Sequence, residues 1–594
     1  MSSRLMDVRV KKTLLRMGKS GKHLFNLLTF SQERTLTILV VVVGLTTGIS
    51  AYIFKQLIDG IHHLCCDSEL SSLIFSGHWY RVVLPAAGGL LTGLIIHNFA
   101  LDAGGHGISR VIYSLKRLGG RIRPRVAVAK SLTSAFTIGT GGSAGPEGPI
   151  IQIGASVGST FGQWFYLPSH YMKTLVAAGA AGGFSAVFNA PIAAVIFSME
   201  ILLGDFSSQA FSMVVIASVI ASVTSHVLLG DEIFLPTPAF GIEHQGELGL
   251  YFLLGILAVP LARLFIKTQF FSEELFKRFK RVPKPIRPMI GGLLVGGFGL
   301  FIPMILGSGH HEIMSIVSTG DDSVRWTFSF LLILALGKMV STALTLGSGG
   351  SGGTLTPCLF IGATMGTLFG NAARLVFPNI APSGAYALVG MGTFFAAVVH
   401  APFTAIIMMF EITHDYRIVI PLMFSVTIAM IMSRQIGAIG MDAMVLLKKG
   451  IRLDKVKTHD PLKDVTAGEV MAKDIETVHE DMTMEKLAQF MEHSPHTGFP
   501  VVDTGGELQG MIIYSDVHHA IDDGLDPREV PVKQIMRKKI PTAFTEEDLG
   551  TVVRRMQEFD IDRISIVDPD NPKRLIGLIT RTNIISAYQP TTSH

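Results

Sequence analysis

One carboxylate, Glu147, sits inside a run of glycines and prolines, Gly145-Pro146-Glu147-Gly148-Pro149, just ahead of an apolar stretch that opens at Ile150. Glycine lets a backbone come close to a ligand, and proline suits a first helical turn. A helix start offers free N–H groups and the positive end of the dipole to an anion. A second run, Gly353-Thr354-Leu355-Thr356-Pro357, has the same build without the carboxylate. Two such helix starts aimed at one point would hold a small anion by backbone alone. A buried Lys or Arg would hold it too tightly for fast release. A carboxylate at that point competes with the anion when ionised, and clears the way when it withdraws or takes a proton. The plainer alternative is a helix-capping glutamate. The gate is the favoured reading, because the position paired with Glu147 is Leu355 and an intramembrane carboxylate is functional by default.

A duplication sets these two runs side by side. Residues 130–162 laid on residues 338–370 agree at 15 of 33 positions, among them Lys130 with Lys338, Ser143 with Ser351, Gly154 with Gly362 and Gly158 with Gly366. Further on, Ala190-Pro191 meets Ala401-Pro402 and Glu200 meets Glu411; upstream, Gly105-His106-Gly107 is like Gly307-Ser308-Gly309. Transporters built from two such halves bind their substrate where the halves meet. The paired lysines read as structural anchors at helix ends, and the paired glutamates Glu200 and Glu411 as capping or pairing groups inside the bundle rather than proton carriers, the second reading.

The composition says where these segments lie. Of 594 residues 48% are hydrophobic and 16% charged, with a mean hydropathy of +0.45. A chain this long with so little charge faces lipid over much of its surface. Clear apolar spans cover 36–54, 82–96, 211–229, 250–265, 290–306, 328–344 and 418–432. Gly-rich breaks between such spans are tolerated at membrane depth where they line a cavity or are buried in protein. Residues 1–450 carry 33 Lys/Arg against 21 Asp/Glu, and residues 451–594 carry 17 against 25. That reversal of sign marks a boundary near 450 between a membrane body and a water-exposed tail. The body divides into a basic N-terminal arm at 1–34 and a membrane domain at 35–450, with repeat halves at about 35–230 and 250–446. The arm (Arg9, Lys11, Lys12, Arg16, Lys19, Lys22) has no cleavable leader behind it and reads as cytoplasmic. Nucleic-acid binding is the weaker reading of that arm. Cys65, Cys66 and Cys358 have no metal or disulfide spacing, and the adjacent His310, His311 and Glu312 are not read as a metal site.

The tail holds a second duplication at an offset of 65: Val470-Met471 meets Ile535-Met536, and strand-like 499–503 meets 564–568. Helical stretches are expected at 484–492 and 549–558, and the two copies, about 466–523 and 531–588, should form one α/β domain.

In its order of motifs the chain resembles the CLC family of chloride channels and transporters. Residues 145–149 are similar to that family's G-(K/R)-E-G-P motif, 353–357 to G-x-F-x-P, and 105–109 to G-S-G-I-P. Asn189-Ala190-Pro191 and the stretch from Ala401-Pro402 to Glu411 also fit. The tail resembles the CBS pair of many members. The resemblance implies an all-α polytopic membrane protein with inverted repeats plus a C-terminal α/β CBS-pair domain. It also implies a homodimer with one anion pathway per subunit, Glu147 as gate, and no enzymatic activity. The anion-binding residues it implies are Gly105, His106, Gly107 and Ile108, then Gly145, Pro146, Gly148 and Pro149, and lastly Gly353, Thr354, Leu355, Thr356 and Pro357. No cofactor or metal is required.

Departures from the family pattern bear on mechanism. Pro146 replaces the basic residue before the gate, His106 the serine that reaches the anion, Ser109 a proline and Leu355 a phenylalanine. His106 either donates an imidazole N–H to the anion or turns its ring away, which is the preferred reading. The pore tyrosine falls near Asp442, and no tyrosine lies between Tyr416 and Tyr514. An aspartate facing an anion would repel it, so Asp442 is expected to point elsewhere. Ile201 stands where proton-coupled members often carry an inner glutamate. In the tail, adenine-nucleotide binding would fall on Asp516, Thr580 and Asn583. Neither copy of that motif is complete, so a structural or dimer-stabilising tail is the preferred reading.

These residues favour chloride passage as a passive channel or weakly coupled conductance, with the tail regulatory and chloride/proton antiport as the alternative. A CBS-regulated cation transporter, for instance for magnesium, would need several acidic ligands at membrane depth, where this body is net basic with glycine-lined helix starts. An enzyme using Glu147 as a base would lack any catalytic partner. Both termini are expected in the cytoplasm and the protein in a plasma or bacterial inner membrane.

Overall fold

The computed structural model describes residues 32–67, 78–230, 235, 240–241, 244–279, 281–318, 327–448, 450, 462, 465–538, 540–559 and 561–588. The basic arm at 1–34 falls outside them except for the backbone of its last three residues. The chain forms two compact units, Met1–Leu453 and Asp454–His594.

Among its described residues the first unit runs twice through the same order of eight helices. The first pass is α1 (Gln32–His62), α2 (Tyr80–Asn98), α3 (Ile108–Arg117), α4 (Arg125–Gly139), α5 (Glu147–Trp164), α6 (Ser169–Phe188), α7 (Pro191–Phe197) and α8 (Ser208–Leu229). The second is α9 (Glu247–Arg278), α10 (Arg287–Phe301), α11 (His310–Ser318), α12 (Phe328–Gly347), α13 (Leu355–Val376), α14 (Ser383–Val399), α15 (Pro402–Thr413) and α16 (Val419–Gln435); α17 (Met441–Lys448) closes the unit. Among the described residues seven helices are long and apolar enough to cross a membrane. Two segments differ from the sequence expectation. The span expected at 290–306 ends at Phe301, where Ile302 leaves helical geometry ahead of Pro303, since proline disfavours the helical region in the residue before it. Leu355–Val376, which is not among the spans expected from the sequence, is one continuous span.

Those glycines let helices touch backbone to backbone. A Cβ on Gly154 of α5 would lie 2.1 Å from the Gly179 carbonyl oxygen of α6, and one on Gly158 would lie 2.1 Å from that of Leu175. In the second half a Cβ on Gly362 of α13 would lie 2.6 Å from the Gly390 oxygen of α14, and one on Gly366 would lie 2.0 Å from that of Tyr386. Small residues at such crossings take the part that hydrophobic burial plays in water. Left-handed turns recur as well, with φ of +104° at Gly141 and +108° at Gly349 ending α4 and α12, a conformation that only glycine adopts without cost.

In the second unit each copy is a three-stranded sheet. In the first, β2 (Gly498–Val502) pairs in parallel with β1 (Val478–His479) and antiparallel with β3 (Leu508–Ile513). In the second, β5 (Arg563–Val567) pairs likewise with β4 (Thr542–Phe544) and β6 (Leu575–Thr580). Helices Met484–His493 and Leu549–Glu558 bury Leu487 and Val552. The copies exchange backbone partners: Ala472 and Leu578 bond reciprocally at 2.9 and 3.0 Å, and so do Met511 and Arg537 at 3.1 and 2.9 Å.

The α13–α14 crossing yields a prediction. Gly366→Ala is expected to destabilise the protein by about 1–3 kcal/mol through overpacking, read as earlier thermal unfolding in detergent. Gly297→Ala, at a site with no heavy atom within 4 Å, is expected to leave unfolding where it was.

Candidate anion site

The two Gly-Pro runs meet. Gly145 N–H donates to the Gly353 carbonyl at 2.9 Å, and Gly353 N–H donates back to Gly145 at 2.6 Å. This two-residue bridge fixes the starts of α5 and α13 beside each other. The loops just before it exchange hydroxyl bonds with the opposite half. Ser143 reaches Thr342 (3.0 Å) and, through its N–H, Thr345 (3.1 Å) on α12. Ser351 reaches Ser134 (2.9 Å) and, through its N–H, Thr137 (3.3 Å) on α4. Every one of these groups is buried, so leaving one unpaired would cost about 1–3 kcal/mol.

Glu147 opens α5 and is 1% exposed. Its carboxylate turns back toward the glycine bridge and accepts from the Thr356 N–H of α13 at 3.5 Å. A carboxylate oxygen therefore lies at the N-terminus of a helix from the other half. The loop before α3 closes in from a third side, where the His106 carbonyl lies so near Gly148 that a Cβ there would be 2.2 Å from it.

Two fully buried lysines stand behind these loops. Lys130 donates to the carbonyls of Ala103 (3.0 Å) and Gly105 (2.6 Å), and Lys338 to those of Ile305 (3.1 Å) and Gly307 (2.8 Å). A buried ammonium needs such partners. Lys338 is also near enough for its charge to act on Glu147, which sequence reading did not reveal. Glu200 and Glu411 trade places: Glu411 accepts from Ile192 and Ala193 N–H at the start of α7 (2.9 and 2.6 Å), and Glu200 from Phe403 and Thr404 N–H at the start of α15 (3.3 and 2.9 Å). Each caps a helix of the opposite half.

Two cavities approach the bridge. One, of about 680 Å³, is lined by Pro146, Glu147 and Thr356 together with Lys55, Asn189, Ser225, His226 and His310. The other, of about 340 Å³, reaches Gly105, His106 and Ser109 and is walled by Arg110, Lys277, Lys284, Arg287 and the single acid Glu273. Asp442 is buried at the start of α17, which packs against α3.

The family model described as voltage gated chloride channel matches residues 88–434. The chain belongs to this CLC family. CBS domain models match residues 467–523 and 532–590 of this CLC protein. Its relatives include the H(+)/Cl(-) exchange transporter ClcA of Vibrio cholerae, 30% identical over 446 residues, covering 73% of this chain and 94% of that protein. They also include the chloride channel protein CLC-f of Arabidopsis thaliana, 27% identical over 578 residues, covering 84% and 73%. Among solved structures, a slow cyanobacterial Cl-/H+ antiporter shares the fold with a TM-score of 0.64 at 24% identity, covering 71% of this chain and 99% of that one. A eukaryotic CLC transporter does so at 0.60 and 21%, covering 93% and 99%. This CLC protein is thus a multi-pass integral membrane protein of a transporter and channel family.

In its CBS tail the polar atoms expected to meet a nucleotide are engaged locally. Asp516 caps Ile513 N–H at 3.2 Å and pairs with Arg537 at 2.9 Å, and Asn583 accepts from Thr580 N–H at 2.9 Å and its hydroxyl at 2.6 Å. Arg563 ties the copies together by donating to the Gly498 carbonyl at 2.8 Å and the Thr497 hydroxyl at 2.7 Å.

The basic wall of the smaller cavity yields a prediction. Lys284→Gln is expected to slow chloride flux about twofold or more at low ionic strength, because the cleft then attracts anions less. The difference should vanish at high ionic strength, as fluxes at matched chloride with added inert salt would report.

Proposed function

We propose that this chain carries chloride, or a similar small monovalent anion, across the membrane past the N-termini of α5 and α13, with Glu147 as the gate. The observation that carries the reading is the bond from Thr356 N–H to the Glu147 carboxylate. An anionic oxygen already occupies the helix terminus that a passing anion would use. Passage then requires the side chain to leave, by rotation or by taking a proton. The path runs from the cavity at Glu147 to the one at His106 and Ser109, along the backbone of 105–108, 145–149 and 353–357. The homodimer implied by the family resemblance gives one such path per subunit.

A passive or weakly coupled conductance is the preferred mode. Ile201 packs against the apolar core, which supports a site with no proton acceptor at that position. Chloride/proton exchange is the second reading, favoured by the relatives and the solved structure named as exchangers. The charge bias of the N-terminal arm supports cytoplasmic termini and a plasma or bacterial inner membrane. The regulatory CBS tail is read as structural rather than nucleotide-binding, because Asp516 and Asn583 already serve as local caps.

The test is chloride efflux from proteoliposomes with external pH recorded at the same time. The expected result is chloride release without uphill proton movement, and faster release from Glu147→Ala. Uphill proton movement that Glu147→Ala abolishes would make the protein an exchanger.

A further inference from the structure

We propose that the side-chain hydroxyl of Thr356 is a ligand of the transported anion and sets a preference for compact, strongly hydrogen-bonding anions. The inference rests on the anion-transport reading above and deepens it. Along the path at 105–108, 145–149 and 353–357 the hydroxyl-bearing side chains are those of Thr354 and Thr356. Thr354 precedes α13, whereas Thr356 lies in its first turn and lines the 680 Å³ cavity beside Pro146 and Glu147. Thr356 is 1% exposed, and among the described residues its hydroxyl oxygen has no hydrogen-bond partner. A buried hydroxyl is costly to leave unpaired, so its vacancy calls for a partner that comes and goes.

The position in the helix explains why no protein group takes this hydroxyl. A buried helical threonine can bond the carbonyl three or four positions back. On the same helix Thr364 bonds Phe360 at 3.1 Å and Thr367 bonds Ala363 at 2.9 Å. For Thr356 those positions are Gly353 and Gly352, ahead of the helix, and the Gly353 carbonyl accepts from Gly145. The Glu147 carboxylate accepts the Thr356 N–H at 3.5 Å and leaves the hydroxyl unused. Glu147 is tied to α5, but a free anion can settle within reach of both donors. The anion thus gains a bond that the gate does not, which favours it in their competition for the start of α13. A hydrogen bond to an ionised acceptor is short and strong. It favours a compact anion such as chloride over a large one with spread charge, such as thiocyanate.

The experiment reads the hydroxyl with the gate removed. The full chain as Glu147→Ala is titrated in detergent with chloride and with thiocyanate, and binding is followed calorimetrically. Adding Thr356→Val, which keeps the shape and drops the hydroxyl, is expected to weaken chloride binding about tenfold, as the loss of one hydrogen bond to a charged group would. Thiocyanate binding should change much less, and Thr356→Ser should restore the chloride affinity. Thr356→Ala is the second hydroxyl-free variant, should Thr356→Val fail to fold. Unchanged chloride affinity without the hydroxyl, an equal loss for both anions, or a Thr356→Ser variant as weak as Thr356→Val would overturn the proposal. Chloride efflux from Glu147→Ala proteoliposomes without measurable chloride binding would overturn it too. No efflux at all would instead overturn the transport reading beneath it.

Discussion

The reciprocal bond between Gly145 and Gly353 is the constraint on which the rest of the membrane unit depends. It joins the two halves backbone to backbone and sets the starts of α5 and α13 side by side. Without it, Thr356 N–H would not meet Glu147. A side chain at Gly353 is excluded by backbone, because a Cβ there would lie 2.7 Å from the Gly148 nitrogen, while one at Gly145 would lie 2.0 Å from the Glu147 carboxylate and displace it.

Around that point the molecule uses one device repeatedly: each half satisfies the other's free groups. Ser143 bonds to α12 and Ser351 to α4. Glu200 caps α15 and Glu411 caps α7. Such exchange makes the halves interdependent, since a buried donor that loses its partner has no water to turn to. The tail follows the same logic in another fold, with Ala472 paired to Leu578 and Arg537 to Met511. In both units a duplicated sequence folds by trading contacts between copies.

Much of this was legible in the sequence because the signals are local or periodic. The Gly-Pro helix starts and the alternating strands of the tail depend on neighbours within a few positions, and the repeat of 130–162 at 338–370 shows by direct comparison of the chain with itself. What escaped depends on which copy meets which. Glu200 and Glu411 could be read as capping groups, but nothing in either segment says that each caps the other half. The span 355–376 was not picked out because its glycines dilute the apolar signal, and their role, contact with the backbone of α14, lies on another helix. The reach of Lys338 to Glu147 is a similar case, since the two are 191 positions apart in the sequence.

The central claim is that the Glu147 carboxylate and the transported anion compete for one place, the N-terminus of α13. Crystals of Glu147→Ala grown in bromide test it directly by anomalous diffraction. The account predicts a bromide peak within hydrogen-bond distance of Thr356 N–H that is absent or much weaker in the wild type. A Glu147→Ala structure with an intact glycine bridge and no bromide at that terminus would contradict it.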